Sequence, residues 1–383
     1  MGGRNYLFLL WNLLKSKRLA AVLILLLAVV ATIGMVRPET EIFQTRWFAG
    51  LGIVFFTNLT SCTVQQIINS YRLWSKSGSL IKTGNNVKIS TSLDIDGGGP
   101  KYRLRVKGRI GIWGAAVFHI GLILITVGAF VSGTMKMSGY IRVAEGETRY
   151  ELHHDYEGVE EGPFFDESRH SGIGLVLRKQ NIILDKSGDV DEIISDIAII
   201  DNGRAVRTAS LGEKEPVIYR GIRIFQKKAG FAPFLEITGP GNVKIANTNI
   251  LLETDSSGEK ARFYLDRLPL PNTPYILNIR FYPDMVHQGN EVTTTRYTLS
   301  NPGADITVLD EEQVVGEKIV RPGESMEFAG YRLKMGSIKH WAGFDIVNDM
   351  GANWVFAGSG VAVCGLALIY LFKKRSLLDN GQH

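Results

Sequence analysis

The chain has 383 residues, with 43 Lys and Arg against 38 Asp and Glu and a formal net charge of +5. The basic residues cluster beside apolar runs and form no basic domain, so the charge does not indicate a nucleic-acid partner. Both cysteines, Cys62 and Cys364, lie within apolar runs, so no domain outside those runs is held by disulfides. The lack of a Cys-x-x-Cys motif excludes a c-type cytochrome and argues against a thiol–disulfide carrier.

Four apolar runs predict four transmembrane α-helices. Each run is long enough to cross about 30 Å of hydrocarbon at about 1.5 Å of rise per residue. The second is the most polar, because its far half carries Asn58 and three hydroxyl residues, but no charge interrupts it between Arg46 and Arg72. The four runs are residues 19–36, 47–68, 110–131 and 354–372.

The first run follows Lys15, Lys17 and Arg18, as the apolar core of a signal peptide would. It is long for such a core, however, and no clear small-residue cleavage site follows it. We therefore predict a retained helix, with a cleaved signal peptide as the alternative.

Charges beside the four runs predict the topology. Basic residues precede the first run, nine lie between Arg72 and Arg109, and three follow the fourth run directly. The positive-inside rule places all three groups in the cytoplasm. Residues 132–353 hold 25 basic and 33 acidic residues, about −8 in net charge, and would face outward. We expect a multi-pass protein of the bacterial cytoplasmic (inner) membrane, embedded in the lipid bilayer, with both termini cytoplasmic.

The outward segment is expected to be mainly β, because alternating or β-branched runs recur between turn signals. Asp-Asn-Gly at 201–203 and Asn-Pro-Gly at 301–303 are two such signals. The pattern fits one large sandwich-like domain or two related lobes dividing near 240–275. The predicted strands are 173–178, 192–201, 221–227, 234–238, 275–282, 305–309 and 331–335.

The predicted fold class is therefore a membrane protein with four transmembrane α-helices and a large mainly-β extracytoplasmic domain between the third and fourth. The expected order begins with an N-terminal segment and the first helix (1–36), followed by a short outer turn with the second helix (37–68) and a basic cytoplasmic loop (69–109). The third helix (110–133), the β-rich domain (134–352), and the fourth helix with a basic cytoplasmic tail (353–383) complete the chain.

His119 is the strongest candidate for a functional residue. It lies nine residues into the third run, about 14 Å from the cytoplasmic end and near the expected midplane. An ionisable side chain at that depth is costly unless it is paired or ligated. The neighbouring Ala115 and Ala116 leave room for a partner helix or a flat ring, and a neutral imidazole is a good axial ligand for haem iron. A histidine hydrogen-bonded to another helix is the equally open alternative.

No nucleophile–base arrangement or metal motif stands out in the outward segment. His153 and His154 are adjacent, with Asp155 next to them, and are expected to be solvated surface. The other histidines of this segment, His170 and two more, are scattered.

Several segments resemble, in order, those of the ResB-like family of cytochrome c biogenesis proteins, which belong to the two-component (System II) haem pathway. IGMVRPE ends the first run, IFQTRWFAGLGIVFFTNLTSC contains Cys62, and KGRIGIWGAAVFHIGLILITVGAF places His119 on the intramembrane histidine of the family. ISDIAIIDNGRAVRTASLGEKEPVIYRGIRIFQKKAG is similar to a strand-rich signature in which Pro216, Gly221, Phe225 and Gln226 occupy motif positions. NPGADITVLD and FDIVNDMGANWVFAGSGVAVCG match the C-terminal part. Glu215 and Met350 stand where the family usually has asparagine and proline, respectively.

This resemblance implies a function that the residues alone do not supply. ResB-like proteins pair with a ResC/CcsA-like membrane subunit, carry haem outward and present it to apocytochrome c for attachment. The partner has a tryptophan-rich haem-presenting motif, whereas the six tryptophans of this chain are dispersed. The resemblance therefore implies that haem b is bound in transit, with His119 as an axial ligand of its iron. It also implies that, if the chain belongs to a haem-lyase complex, it is at most the subunit that lacks the catalytic motif. Cys62 is expected to be a packing residue.

Two other interpretations remain. The chain could be a haem-free membrane scaffold whose outer domain binds an assembly partner or apocytochrome. A transporter for another solute has little support, because the four runs show no internal repeat and hold a single ionisable residue.

Overall fold

The computed structural model of the protein describes residues 16–37, 42, 45–81, 111–186, 190–212, 215–254, 264–289, 291–294 and 296–371. The chain forms two compact units. The helical unit comprises Met1–Met135 and Met350–His383, and the β unit comprises Lys136–Asp349.

The helical unit contains four described α-helices: α1 Lys17–Val36, α2 Arg46–Ile81, α3 Gly114–Met135 and α4 Met350–Leu371. Three segments are long and apolar enough to cross a membrane: Arg46–Ser75, Gly114–Met135 and Met350–Leu371. The apolar part of α1, Arg18–Gly34, is shorter, so a fourth crossing stays a prediction. α2 continues through the first 13 residues of the predicted cytoplasmic loop, and the rest of that loop, residues 82–109, lies outside the described residues.

The polar part of α2 is compatible with a membrane because its hydroxyl groups bond within the helix. Thr57, Thr60, Ser61 and Thr63 each donate to the carbonyl four residues earlier, at 2.7–2.8 Å. An unpaired hydroxyl in hydrocarbon would be unfavourable, and these bonds satisfy it without a partner from another helix. Asn58 is buried, 1% exposed.

α3 and α4 pack closely along two glycine rows. The rows consist of buried glycines spaced by seven residues: Gly114, Gly121 and Gly128 on α3, and Gly351, Gly358 and Gly365 on α4. A seven-residue spacing keeps one face of a slightly supercoiled helix toward its neighbour. A Cβ built at Gly358 would lie 2.7 Å from the backbone nitrogen of Ile125, so the two backbones nearly touch. Such close approach is how helices associate where both lipid and side chains are apolar.

The described residues of the β unit form 18 strands in four sheets. A seven-stranded sheet has the order β3-β1-β18-β8-β7, with β17 also paired to β18 and β9 to β8, and all its pairs are antiparallel. Its strands are β1 Met137–Ala144, β3 Gly158–Glu161, β7 Val217–Tyr219, β8 Ile222–Gly239, β9 Val243–Asn249, β17 Ser325–Phe328 and β18 Tyr331–Asn348.

A four-stranded sheet joins β2 Thr148–Tyr150, β4 Gly174–Leu184, β5 Val190–Asp201 and β6 Arg204–Leu211. A five-stranded sheet has the order β10-β11-β12-β15-β16, from β10 Glu253–Thr254, β11 Tyr264–Pro269, β12 Tyr275–Tyr282, β15 Gly303–Asp310 and β16 Gln313–Val320. The hairpin of β13 Met285–Gln288 and β14 Glu291–Thr294 is the fourth.

The two longest strands, β8 and β18, run through both halves of the β unit. One apolar core lies between the four-stranded sheet and the half of the seven-stranded sheet that holds β1, and it includes Met137, Leu177 and Phe344. The second core lies between the five-stranded sheet and the other half, and it includes Leu235 and Phe281. The β unit therefore has two lobes that share two continuous strands, and the division crosses the middle of β8 and β18.

Trp341 lies where the two lobes meet. It is 1% exposed, packs with Ala144 and Ala232 in a small separate cluster, and donates its indole N–H to the carbonyl oxygen of Leu252 at 2.9 Å. Because a buried indole needs a hydrogen-bond acceptor, this bond ties β18 to the segment after β9.

Candidate functional site

His119 lies on α3 closer to the first end of the helix than expected. α3 begins at Gly114, after a turn at residues 111–113. His119 is therefore five residues, or about 8 Å, along the helix, compared with the 14 Å estimated from the apolar run. The imidazole belongs to the first third of α3 and lies away from its midpoint.

The hydrogen bond of His119 selects one tautomer. Nδ1 lies 2.8 Å from the carbonyl oxygen of Ala115. A carbonyl oxygen only accepts hydrogen bonds, so Nδ1 carries the proton and Nε2 keeps its lone pair. Within the described part of the chain Nε2 has no hydrogen-bond partner. This tautomer, with one nitrogen anchored on backbone and the other available, is the usual form of an imidazole metal ligand.

The imidazole does not lie in the contact between α3 and α4. His119 follows Gly114 by five residues, and at about 100° per residue it lies about 140° around the helix from the glycine row. The ring is half-buried and packs edge-on against Phe118, with ring centroids 5.7 Å apart. It is therefore partly open to whatever surrounds the helical unit.

The space beside the ring is smaller than the sequence suggested. Ala116 is only 1% exposed and Gly111 is also buried, so other parts of the chain already cover them. Ala115 is half-buried. A flat ring could therefore approach Nε2 only from the open side of α3. The tautomer of His119 suits a haem ligand, but the small residues beside it do not provide a ready cavity.

Cys62 lies on α2 and is half-buried. Its neighbours along the chain, Ser61 and Thr63, are buried and bonded within the helix. This half-buried setting is compatible with the expected packing role, which stays a prediction.

The four motif positions of the β unit lie together in the hairpin of β7 and β8. Pro216 precedes β7, and Gly221 is the second residue of the turn, with φ +84° after Arg220 at φ +48°. Two consecutive positive φ angles make a two-residue turn that suits strand twist and favours glycine. Phe225 is half-buried, and Gln226 is 4% exposed and donates to the carbonyl oxygen of Ile193 at 3.2 Å.

This motif therefore lies in one hairpin of the β unit, and a functional role for its residues stays a prediction. Gln226 ties β8 to β5 across the first core, although its side-chain oxygen is buried without a partner among the described residues. None of the four positions belongs to the unit that holds His119.

Of the remaining histidines, His153 and His154 are exposed, as expected of solvated surface, whereas the side chain of His170 is not. His154 is 77% exposed, as predicted. His153 and His170 both contact Glu161, however, and the side chain of His170 is only 3% exposed. Sequence reasoning missed this group, because His170 is 17 positions from His153 and no spacing rule links them. Burial opposes the ionised form of Glu161, but hydrogen bonds from the two histidines outweigh it and lower its pKa.

Comparison with known proteins gives consistent matches. A family model described as the ResB-like family matches residues 96–378. Cytochrome c biogenesis protein Ccs1 of Rhodomonas salina is 25% identical over 356 residues, covering 86% of this chain and 74% of that protein. Cytochrome c biogenesis protein CcsB of Microcystis aeruginosa is 20% identical over 349 residues, with 86% and 72% covered. CcsB of Crocosphaera subtropica is 22% identical over 363 residues, with 90% and 75% covered.

Among solved structures, Cytochrome c Heme Lyase CcmF aligns at 11% identity with a TM-score of 0.27, covering 93% of this chain and 35% of that chain. A similarity at that score supports no argument about fold or function.

Proposed function

This chain belongs to the ResB-like family, and on that basis we propose that it is a cytochrome c biogenesis subunit that conveys haem across the membrane. With a ResC/CcsA-like membrane partner it would support attachment of the haem to apocytochrome c. The similarity to CcsB and Ccs1 proteins over most of the chain supports the biogenesis role. The proposal that this chain transports haem, which would be a substrate in transit, rests on one observation in the helical unit.

That observation is the anchored imidazole of His119. Nδ1 donates to the Ala115 carbonyl oxygen at 2.8 Å, which leaves Nε2 with a lone pair directed away from its own backbone. Bound haem would supply an iron centre that takes Nε2 as one axial ligand. The bond to Ala115 would hold the ring orientation and keep the ligating tautomer.

The position of His119 supports a shared site with a second subunit. The ring lies away from the α3–α4 contact and is half-buried, so a haem at Nε2 would have one face outside this chain. His119 is the single histidine among the described residues of the helical unit. A second imidazole ligand would therefore come from the partner.

The apolar surface of the helices supports insertion in a bilayer. Large apolar side chains such as Ile53, Phe356 and Val363 are 67%, 73% and 65% exposed. Exposed apolar surface on this scale needs lipid or another helix. We propose four crossings including α1, both termini in the cytoplasm, and the acidic β unit outside, where it would hold apocytochrome c near the haem.

The test is an absorption spectrum, oxidised and reduced, of the full chain purified with its candidate partner. His119→Ala should remove most of the copurified haem while the protein stays in the membrane. Thr126→Ala is the matched control, because Thr126 lies seven residues along the same helix and makes the same kind of bond, to the Leu122 carbonyl oxygen at 2.8 Å. Thr126→Ala should keep its haem.

Unchanged haem in His119→Ala would show that this residue is not the ligand. Absence of haem from every preparation, with cytochrome assembly still dependent on the chain, would favour the haem-free scaffold. In that case the β unit would bind the assembly partner, and His119 would have only a structural role in α3.

A further inference from the structure

Three side chains of the first lobe form a compact donor group that is independent of His119. His153 lies in a short 3₁₀ turn after β2, Glu161 ends β3, and His170 follows a second 3₁₀ turn. Their ligand atoms all lie within 4.8 Å of one another. Two neutral nitrogens and one carboxylate oxygen are the donor set of many transition-metal sites.

The distances suit a small cation. Oε1 of Glu161 lies 2.9 Å from Nδ1 of His153 and 2.9 Å from Nε2 of His170. In a tetrahedral zinc site with bonds of about 2.0–2.2 Å, neighbouring ligand atoms are about 3.4 Å apart. A cation could therefore replace the two bridging protons with a small outward shift, which the half-exposed His153 can make.

His170 is held in the orientation that a metal ligand requires. Its Nδ1 lies 2.5 Å from Oε1 of Glu151, so the ring donates there and directs Nε2 toward Glu161. Phe165 packs edge-on against the same ring, with centroids 5.3 Å apart. A carboxylate behind a ligating histidine fixes its tautomer and raises its basicity, and it is one of the usual partners of histidines that ligate metals.

Glu151 is itself fixed by further hydrogen bonds. It is 1% exposed, and it accepts from the hydroxyl of Ser171 at 2.7 Å, from the backbone N–H of Ser171, and from the hydroxyl of Tyr156 at 3.1 Å. Burial of a carboxylate is costly unless such partners surround it. Glu151 is thus buried, fully hydrogen-bonded and placed to orient one histidine. A surface loop exposed to solvent would not require such an arrangement.

The group is open on one side. The side chains of His153 and Glu161 are 48% and 19% exposed, whereas that of His170 is 3% exposed. Three protein ligands with one open direction leave a position for water or for a group from another molecule. Nitrogen ligands disfavour Mg²⁺ and Ca²⁺, which prefer oxygen, and favour zinc-like divalent cations.

We propose that His153, Glu161 and His170 bind one divalent transition-metal cation of the zinc type, with Glu151 as the positioning residue behind His170. The site is distinct from the haem ligand, since it belongs to the β unit and uses none of the residues of α3.

The experiment measures Zn²⁺ binding to the untagged, full-length protein in detergent, stripped of metal, by competition with a colorimetric chelator. We expect one tight equivalent per chain. His153→Ala should weaken binding at least about 100-fold, because loss of an outer-sphere partner alone costs about 10–100-fold and here a ligand is lost. His154→Ala is the matched control: its side chain is the next along the chain, is 77% exposed and does not contact Glu161.

His153 and His154 are both at the surface, so neither substitution threatens folding, and circular dichroism of both variants checks this. Tight binding by the parent protein and by His154→Ala, lost in His153→Ala, supports the site. Absence of a stoichiometric equivalent in the parent, or equal losses in the two variants, would overturn the proposal and leave the group a structural ion pair. Glu151→Gln, with its geometry nearly unchanged, should keep the equivalent but weaken it about 10–100-fold.

Discussion

The glycine rows between α3 and α4 make a sharp prediction for Gly358→Ala. The new Cβ would lie 2.7 Å from the nitrogen of Ile125 and 2.8 Å from the carbonyl oxygen of Gly121, and both are backbone atoms that cannot rotate away. Ordinary van der Waals contact begins at 3.4 Å, so α3 and α4 must separate by about 0.7 Å. A gap of that size forfeits about a quarter to a half of the dispersion energy along the contact.

The expected loss of stability follows from two opposing effects. Overpacking of this kind costs about 1–3 kcal/mol, whereas replacing glycine by alanine in a helix gains up to about 1 kcal/mol. Gly358→Ala should therefore lower the free energy of unfolding by about 1–2 kcal/mol. Gly360→Ala, two residues along the same helix with nothing within 4 Å of its Cβ, should be neutral or slightly stabilising.

The assay is reversible unfolding of the full chain in mixed detergent, followed by far-ultraviolet circular dichroism for the parent and both variants. The result that refutes the reasoning is a Gly358→Ala protein as stable as Gly360→Ala. It would mean that α3 and α4 do not approach as closely as the glycine rows indicate.

Three further predictions concern the β unit and use thermal unfolding of the full chain. Trp341→Phe should destabilise it by about 1–3 kcal/mol, because the buried carbonyl oxygen of Leu252 loses its donor; no change would mean that water replaces the indole. Gly221→Ala should cost about 1 kcal/mol, because its φ of +84° is strained for any residue with a Cβ, and a stability gain would contradict the turn geometry. Burial raises the pKa of Glu145, but hydrogen bonds from His340 and a backbone N–H outweigh this and lower it below its ordinary value near 4.5. Its stabilising effect is therefore present above about pH 4.5 and lost as the pH falls further, so Glu145→Gln should flatten the acid decline of Tm; parallel curves for the two proteins would refute this.

The membrane helices were predictable because span length and apolar composition are local properties. The expected runs at 47–68, 110–131 and 354–372 fall largely within α2, α3 and α4. The helix ends were less predictable: α3 begins at Gly114, four residues after the start of the expected run, so His119 lies about 8 Å from the helix start. Its depth in the membrane stays a prediction. Helix ends depend on where the chain turns, which hydropathy does not record.

The long strands of the β unit were only partly predicted. The expected strand 275–282 coincides with β12, but β8 was expected as two pieces, 221–227 and 234–238. Pro233 lies inside β8, and proline normally argues against a central strand. Here Pro233 lies opposite Ile338, next to a register shift between Met335 and Ile338. A bulge accommodates the missing N–H, so the strand continues through both lobes.

By itself, the sequence determined three apolar helices of spanning length, a mainly-β domain between the last two, membership of the ResB-like family, and His119 as the ionisable residue of α3. These follow from composition, period and motif order, which are all readable along the chain. Only the tertiary structure decided that glycines seven residues apart form a close helix contact, that two strands connect two cores, and that His153, Glu161 and His170 meet. Each of these results joins residues distant in sequence, and such contacts depend on how elements pack, which no local pattern specifies.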